Sequence, residues 1–123
     1  MKSPGLSACM IVKNEEKTLP LCLGSIRGHV DEIIVVDTGS TDNTVSIAES
    51  FGSKVYRHPW EEHFSRHRNQ SIGYARSDWI LIIDADEELV QSSAQEIKRV
   101  LSMADEELDA SLNAAPLYVA RNE

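Results

Sequence analysis

With 123 residues, of which 41% are hydrophobic and 26% charged, the chain is long enough to bury one modest core, and residues 1–123 are predicted to form a single domain. Its net charge of −8 argues against nucleic acid and anionic membrane surfaces as partners, because both would repel an acidic protein. No apolar run approaches the roughly 20 residues that span a bilayer, and the first residues lack a signal-peptide core, so we expect a cytoplasmic protein.

Apolar strand-like runs alternate with segments of helical periodicity along the chain. Five strands are predicted, at 6–12, 32–36, 54–57, 79–83 and 117–119. Four helices are predicted, at 16–28, after residue 43 with Val45, Ala48 and Phe51 on one face, at 63–75 and at 95–101; residues 104–116 are expected to form a loop. Alternating strands and helices favour crossover connections, so the predicted fold class is α/β with a mostly parallel sheet flanked by helices.

Single residues add local expectations to this pattern. Pro20 falls in the first turn of its helix, where its missing N–H is tolerated, and Gly52 supplies a helix stop. Cys9 and Cys22 lie on a predicted strand and a predicted helix, so we expect buried free thiols rather than a disulfide.

Three of the predicted strands end in polar residues. These ends are Lys13-Asn14-Glu15-Glu16, Asp37-Thr38-Gly39-Ser40 and Asp84-Ala85-Asp86-Glu87. In open parallel sheets, ligands bind beyond the carboxyl ends of the strands. The polar ends therefore predict one binding site at that edge of the sheet.

Asp84 and Asp86 are the candidate metal ligands. Both follow the apolar run at 79–83, and the small Ala85 between them leaves space for a ligand to approach the backbone. Two hard oxygen donors suit Mg²⁺ or Mn²⁺, with substrate phosphates and water completing the coordination. Such an ion stabilises a diphosphate as a leaving group. The alternative is that both carboxylates are turn or capping residues at a solvated edge.

Asp37 ends the second predicted strand, where its carboxylate can accept a hydrogen bond from a base N–H or a ribose hydroxyl. Gly39 permits a positive φ, and the polar residues at 40–43 can cap the next helix. The alternative is a plain strand-to-helix turn, and we expect both roles, with Asp37 for the ligand and Asp42 or Asn43 for the structure. The chain contains neither G-x-G-x-x-G nor G-x-x-x-x-G-K-[ST].

Arg68 lies on the otherwise apolar stripe of the helix predicted at 63–75. A guanidinium that faces inward needs a carboxylate or phosphate partner. We expect Arg68 either to pair with Asp37 or Asp84 or to meet a diphosphate directly, and the sequence favours neither.

His63 and His67 have the four-residue spacing of helical zinc sites, but the Glu that follows the first His in that motif is absent. A solvated or packing role is therefore favoured for both. Trp60 and Trp79 are expected to be core or rim aromatics.

Taken together, three segments resemble the family 2 glycosyltransferases, which have the Rossmann-like GT-A fold: SACMIVKNEE (7–16), DEIIVVDTGSTDNT (31–44) and RNQSIGYARSDWILIIDADEEL (68–89). Residues 5–104 are the best-matched region. The resemblance implies that the chain binds a nucleoside-diphosphate sugar, commonly a UDP-sugar, as the donor in sugar transfer.

The same resemblance implies roles for single residues. Asp37 would contact the base, Asp84 would lie at the ribose, and Asp86, with Asp84, would ligate Mn²⁺ or Mg²⁺ together with the diphosphate. The remaining residues of the nucleotide-sugar pocket would be Val12, Asn14, Glu16, Gly39, Arg68 and Ala85.

Members of this family normally continue into an acceptor-binding half that carries the general base of inverting transfer. We expect the present chain to be truncated before that half and to contain no catalytic residue itself, because Glu87 and Glu88 adjoin the metal motif and are poorly placed to act as the base. A glycan, lipid or protein acceptor, the oligomeric state and a peripheral membrane attachment through missing regions all stay open.

Two other functions also stay open at this point. One is a non-catalytic nucleotide-sugar-binding module. The other is a phosphotransferase of the haloacid-dehalogenase type, which also has D-x-D after an apolar strand, but after the first strand and with Thr or Val where this chain has Glu88.

Overall fold

The computed structural model describes residues 3–101 and 118–122, in which the alternating pattern forms five strands and four helices. The strands are Ser3–Val12 (β1), Glu32–Asp37 (β2), Lys54–Arg57 (β3), Ser77–Ile82 (β4) and Tyr118–Arg121 (β5). The helices are Leu19–Ile26 (α1), Thr44–Ser50 (α2), Phe64–Gly73 (α3) and Gln91–Leu101 (α4). The loop predicted at 104–116, and Leu117 of the last predicted strand, lie outside the described residues.

The sheet has the strand order β3-β2-β1-β4-β5, with β1 at its centre. β1 pairs in parallel with β2 and with β4, and β2 pairs in parallel with β3. Only β5, at the edge, is antiparallel to its neighbour. Helices cover both faces of the sheet, which is why its central strands are apolar on both faces. The predicted mostly parallel sheet flanked by helices is confirmed.

Alternate residues of β1 enter two different cores. Ala8, Met10 and Val12 belong to the larger core, which also contains buried residues of α1, α2 and α4. Cys9 belongs to a smaller core, together with Ile34, Ile80 and residues at the end of α3. Since α3 packs against β1 and β2 on this second face, the loop that leads into α3 lies beside the carboxyl ends of those two strands.

Two helices begin several residues away from their predicted starts. α1 begins at Leu19 rather than Glu16; residues 16–18 form a single turn before it, in which the Leu19 N–H donates to the Glu15 carbonyl, and the N–H groups of Glu15 and Glu16 donate to Thr44 and Asp42. Pro20 lies in its first turn, as predicted. α4 begins at Gln91 rather than Gln95, because Ala94 is already packed into the larger core.

Gly52 ends α2 with a φ of +83°, and its N–H donates to the Glu49 carbonyl at 3.0 Å. Cys9 and Cys22 are free and buried, as predicted, and burial raises the pKa of each thiol to about 12. Among the described residues, none of the helices is long and apolar enough to cross a bilayer.

Candidate functional site

The loops that follow β1 and β2 hold each other in place. Asn14, which has a left-handed φ of +53°, accepts a hydrogen bond from the Thr41 N–H on its side-chain oxygen at 2.8 Å. The Asn14 N–H donates to the Ser40 hydroxyl at 2.9 Å. The Glu16 carboxylate accepts the Asn43 N–H at 3.1 Å. Two of the residues predicted for the nucleotide pocket, Asn14 and Glu16, therefore fix the shape of the strand-end loops.

Asp42, rather than Asn43, caps α2. Its carboxylate accepts hydrogen bonds from the N–H and the hydroxyl of Thr44, and the hydroxyl bond lowers the pKa of Asp42. The side chain of Asn43 makes no cap bond. The Thr44 hydroxyl also accepts the Glu15 N–H at 2.8 Å, so the cap joins α2 to the loop after β1.

Asp37 is 2% exposed and uses only one of its carboxylate oxygens within the described residues. Oδ1 accepts the N–H groups of Gly39 and Ser40, both at 2.8 Å, and Gly39 has the positive φ of +127° that the turn requires. Oδ2 is buried and has no hydrogen-bond partner among these residues. A buried carboxylate oxygen without a donor is costly, so this atom is a candidate acceptor for a ligand hydrogen bond.

The carboxyl end of β4 exposes two carboxylates around a buried alanine. Asp84 and Asp86 are exposed, Ala85 is 3% exposed, and in the described part of the chain neither aspartate side chain has a hydrogen-bond or ion-pair partner. Glu87 instead closes the turn, since its carboxylate accepts the Asp84 N–H at 2.7 Å while its own N–H donates to the Asp84 carbonyl. The Cys22 thiol of α1 also donates to that carbonyl, at 3.5 Å.

Negative charge accumulates at this turn. After burial, the next causes that raise the pKa of the Cys22 thiol are the charges of Glu87, Asp84 and Asp86. Within residues 3–101 and 118–122, no three His, Cys, Asp or Glu side chains come together as a complete metal cage. Two free carboxylates instead fit a cation that is shared with another anionic ligand.

Sheet register brings the acidic strand ends to one edge. Asp37 pairs with Val12, and Ile82, two residues before Asp84, pairs with Cys9. Because β2 and β4 run parallel to β1 on either side of it, both ends emerge at the same edge of the sheet. Asp37 and Asp84 therefore flank the end of β1.

Arg68 is half-buried on α3, and its guanidinium carbon lies 5.0 Å from the centre of the Phe64 ring. It forms no ion pair with Asp37 or Asp84 in the described part of the chain. Of the two roles predicted for Arg68, the structural pairing with a strand-end carboxylate is thus not seen.

His67 is fully buried, and both of its ring nitrogens are engaged. Nε2 accepts the Glu61 N–H at 3.2 Å, so the proton resides on Nδ1 and is donated to the Gln70 side-chain oxygen at 2.9 Å. The ring also stacks on Trp60, with the two ring centres 5.1 Å apart. His67 therefore has the packing role that its sequence context favoured.

A cavity of about 300 Å³ opens at the ends of β1 and β2. It is lined by Ile11, Val12, Lys13, Glu15, Thr38, Trp60 and Phe64. Of these, Val12 was predicted as a nucleotide-pocket residue, and Lys13, Glu15 and Thr38 belong to the strand ends predicted to form the site. Trp60 was expected in the core or at its rim and Phe64 on the apolar stripe of its helix, so a ligand contact was predicted for neither. The sequence signal for Trp60 and Phe64 was the presence of two large aromatic residues in a polar segment that also contains Pro59 and three histidines.

A larger and more open depression, of about 520 Å³, lies on the outer side of α3. It is lined by His63, Ser65, Arg66, Asn69 and Gln70. Because it contains none of the strand-end carboxylates, we assign the candidate site to the smaller cavity and the adjoining acidic ends.

Comparison with known proteins identifies relatives of the chain. A family model described as glycosyl transferase family 2 matches residues 7–114. An uncharacterized glycosyltransferase of Rickettsia felis is 36% identical over 118 residues, which are 96% of this chain and 41% of that protein. A TPR repeat-containing protein of Synechococcus elongatus is 46% identical over 100 residues, which are 81% of this chain and 25% of that protein. The chain thus spans less than half the length of these relatives.

Solved structures show the same architecture. TarS of S. aureus in complex with UDP is 26% identical, with a TM-score of 0.61 over 80% of this chain and 32% of that one. The mannosyltransferase PcManGT of Pyrobaculum calidifontis, in complex with GDP-Man and Mn²⁺, is 21% identical, with a TM-score of 0.65 over 78% of this chain and 32% of that one. In both cases the likeness covers about four fifths of the chain.

Proposed function

Because the chain belongs to glycosyltransferase family 2 and has the GT-A fold, we propose that it binds a nucleoside-diphosphate sugar and forms the donor half of an enzyme that transfers the sugar to an acceptor hydroxyl. One observation carries this proposal: Asp37, with an unpartnered buried oxygen, and the free carboxylates of Asp84 and Asp86 lie at one sheet edge on either side of β1. TarS, the 26% identical protein of the same fold, binds UDP, which supports UDP as the first nucleotide to test.

Asp37 is proposed to recognise the base. Its Oδ1 is committed to the turn at Gly39 and Ser40, which leaves Oδ2 as a fixed acceptor for a single N–H group. A base N–H is the donor that such an acceptor selects, because an unpaired buried acceptor strongly disfavours ligands that lack the matching donor. The loops held by Asn14 and Glu16 keep this oxygen in position.

Asp84 and Asp86 are proposed to hold Mn²⁺ or Mg²⁺. The two side chains fit a divalent cation because both are hard oxygen donors, both are exposed, and neither has a protein partner in the described part of the chain. A cation held there supplies positive charge to the departing nucleoside diphosphate. Ala85, between them, is buried, so its backbone does not offer the open approach to a ligand that the sequence predicted.

The proposed reaction is a single displacement at the anomeric carbon, with inversion of configuration. The chain's own residues bind and orient the donor: Asp37 fixes the base, and the acidic turn at 84–87 fixes the diphosphate end. Arg68, which has no carboxylate partner among the described residues, is available to a phosphate oxygen. The relatives are longer than this chain. We propose that the general base, which deprotonates the acceptor hydroxyl, lies in a segment of the kind that makes them longer.

A second candidate is a nucleotide-sugar-binding module without transfer activity. A sugar-transfer assay with the isolated chain separates the two, since robust turnover would exclude the module. We propose a cytoplasmic location for either function. Phosphoryl transfer is disfavoured, because the D-x-D motif follows β4 rather than the first strand and the family is one of glycosyltransferases.

Isothermal titration calorimetry with UDP, GDP and their sugars, with and without Mn²⁺, tests the proposal. We expect binding that Mn²⁺ strengthens. Asp86→Ala should abolish the gain that Mn²⁺ brings and leave the metal-independent part of binding, because the base contacts are untouched. Glu88→Ala, an exposed acidic neighbour, is the matched control and should behave like the wild type. Absence of nucleotide binding, or a metal effect that survives Asp86→Ala, would contradict the proposal.

A further inference from the structure

Two of the large apolar side chains that the described fold leaves exposed lie together at the candidate site. Trp60 is 46% exposed and Phe64 is 51% exposed, and both line the cavity at the ends of β1 and β2. Leu21 and Val90 are exposed to a similar degree but do not line it. Aromatic surface of this kind at a cavity wall is typical of a site that stacks on a ligand.

This aromatic wall, defined as Trp60 and Phe64, is supported from behind. The indole of Trp60 stacks on His67, with an angle of 24° between the rings, and His67 is itself fixed by Glu61 and Gln70. Phe64 is covered by the guanidinium of Arg68. Support of this kind orders the wall before a ligand arrives, so little conformational entropy is lost on binding.

Two of the polar side chains that line the cavity are already hydrogen-bonded within the protein. The Thr38 hydroxyl donates to the Val12 carbonyl at 3.3 Å. The Glu15 carboxylate accepts the Thr18 hydroxyl at 3.1 Å. Lys13 and Glu15 place one charge of each sign at the cavity, so the lining carries no net charge that would favour a phosphate, whereas a flat, largely uncharged ring would meet the apolar surface of the aromatic wall, Ile11 and Val12.

We infer that Trp60 and Phe64 form the stacking wall for the nucleobase of the donor, with Asp37, the residue before Thr38, accepting from the edge of that base. This inference rests on the proposed function, since it assigns the base subsite of the same nucleotide. Stacking accepts any base, so the wall provides affinity, and Asp37 provides the choice between bases. His67 acts only as a positioning residue, because Trp60 stands between it and the cavity ligand.

The test is calorimetric titration of the chain and its Trp60 variants with UDP-sugars, UDP, GDP, UMP and uridine. Trp60→Ala should weaken binding by about tenfold or more, and to the same extent for UDP, UMP and uridine, because the lost contact is with the base. Trp60→Phe should stay within about threefold of the wild type, since it keeps an aromatic face. Leu21→Ala, which removes an exposed apolar side chain away from the cavity, is the matched control and should change nothing.

Tryptophan fluorescence supplies a second readout. Trp60 is exposed, whereas Trp79 is buried at 8% exposure, so quenching by bound nucleotide should be present in the wild type and lost in Trp60→Phe even though that variant still binds. Circular dichroism of each variant confirms that the fold is retained.

The outcomes separate this inference from the proposed function. If the wild type binds nucleotide and Trp60→Ala binds it equally well, the stacking wall is wrong and the proposed function stands. If Trp60→Ala loses affinity for UDP-sugars but not for UDP and UMP, the wall meets the sugar and the inference is again wrong. If the wild type binds no nucleotide at all, the proposed function fails and the inference fails with it.

Discussion

Replacing Asp37 by Asn and by Ala should separate its role in the fold from its role in binding. In the folded chain Oδ1 accepts the N–H groups of Gly39 and Ser40, whereas Oδ2 is buried and has no partner among the described residues. Asparagine can keep the accepting oxygen at the Oδ1 position and place its NH₂ group at the Oδ2 position. Alanine removes both positions.

The two variants should differ in stability. A hydrogen bond to a charged group contributes about 1.5–3 kcal/mol, and we take the lower value because Gly39 is exposed and its N–H can be hydrated. Loss of two such bonds gives a decrease of about 3 kcal/mol in the free energy of unfolding for Asp37→Ala. Asp37→Asn keeps two neutral bonds at the Oδ1 position and exchanges one unpartnered buried polar group for another, so its free energy of unfolding should stay within about 1 kcal/mol of the wild type.

The nucleotide affinity of the two variants should not follow their stability. In Asp37→Asn the NH₂ group would face the base N–H, donor against donor. Rotation of the amide does not relieve this, because it would turn the NH₂ group toward the N–H groups of Gly39 and Ser40. We therefore expect nucleotide affinity to fall by about tenfold to a hundredfold in Asp37→Asn, although this variant is nearly as stable as the wild type.

The assay is urea unfolding followed by circular dichroism, combined with calorimetric titration of UDP and GDP. Two results would refute the reasoning. One is wild-type affinity in Asp37→Asn, which would mean that Oδ2 does not meet a ligand donor. The other is equal destabilisation of both variants, which would mean that the bonds of Oδ1 do not stabilise the turn.

Two further predictions concern titration of groups outside the site. Burial by itself would raise the pKa of Glu32, but hydrogen bonds from Ser7, the Arg76 N–H and Lys54 outweigh it and hold the pKa below the usual 4.5. The stability that Glu32 contributes is therefore present above pH 4.5 and is lost as the pH falls through the lowered pKa. Glu32→Gln should therefore reduce the slope, on the acid side, of the free energy of unfolding against pH, measured by urea unfolding. An unchanged slope would contradict this. Burial raises the pKa of both cysteine thiols to about 12. A thiol reagent at about pH 8 should therefore label neither cysteine in the native chain and both in denaturant. Rapid labelling of the native chain would count against the assignment of buried thiols.

Local sequence patterns predicted most of the elements correctly because they depend on near neighbours. The apolar runs before Asp37 and Asp84 form β2 and β4, and Gly52 ends α2 by adopting a left-handed φ. The start of α1 was wrong by three residues, and the segment before it is held by hydrogen bonds to Asp42 and Thr44. The partner of a side chain in another loop is not encoded in the periodicity of its own segment.

The candidate site also divides into features that local sequence predicted and features that depend on distant contacts. Its acidic strand ends were predicted from turn chemistry and from the rule for parallel sheets. The loop-bridging role of Asn14 was not, because it depends on a contact between segments more than 20 residues apart. The burial of Asp37 was not either, because it depends on the position of β2 between β1 and β3. Trp60 became a candidate only when the fold placed it on His67 and beside the end of β1.

The sequence by itself determined the α/β class, the near-continuous apolar strands and the polar residues at their carboxyl ends, because hydrophobic period and turn preference act over a few residues. Tertiary structure alone decided the strand order that sets Asp37 and Asp84 on either side of β1, and the packing of α3 that brings an aromatic wall to the same edge. Strand order and helix packing depend on how both faces of the sheet are covered at the same time, which is a property of the whole packed chain.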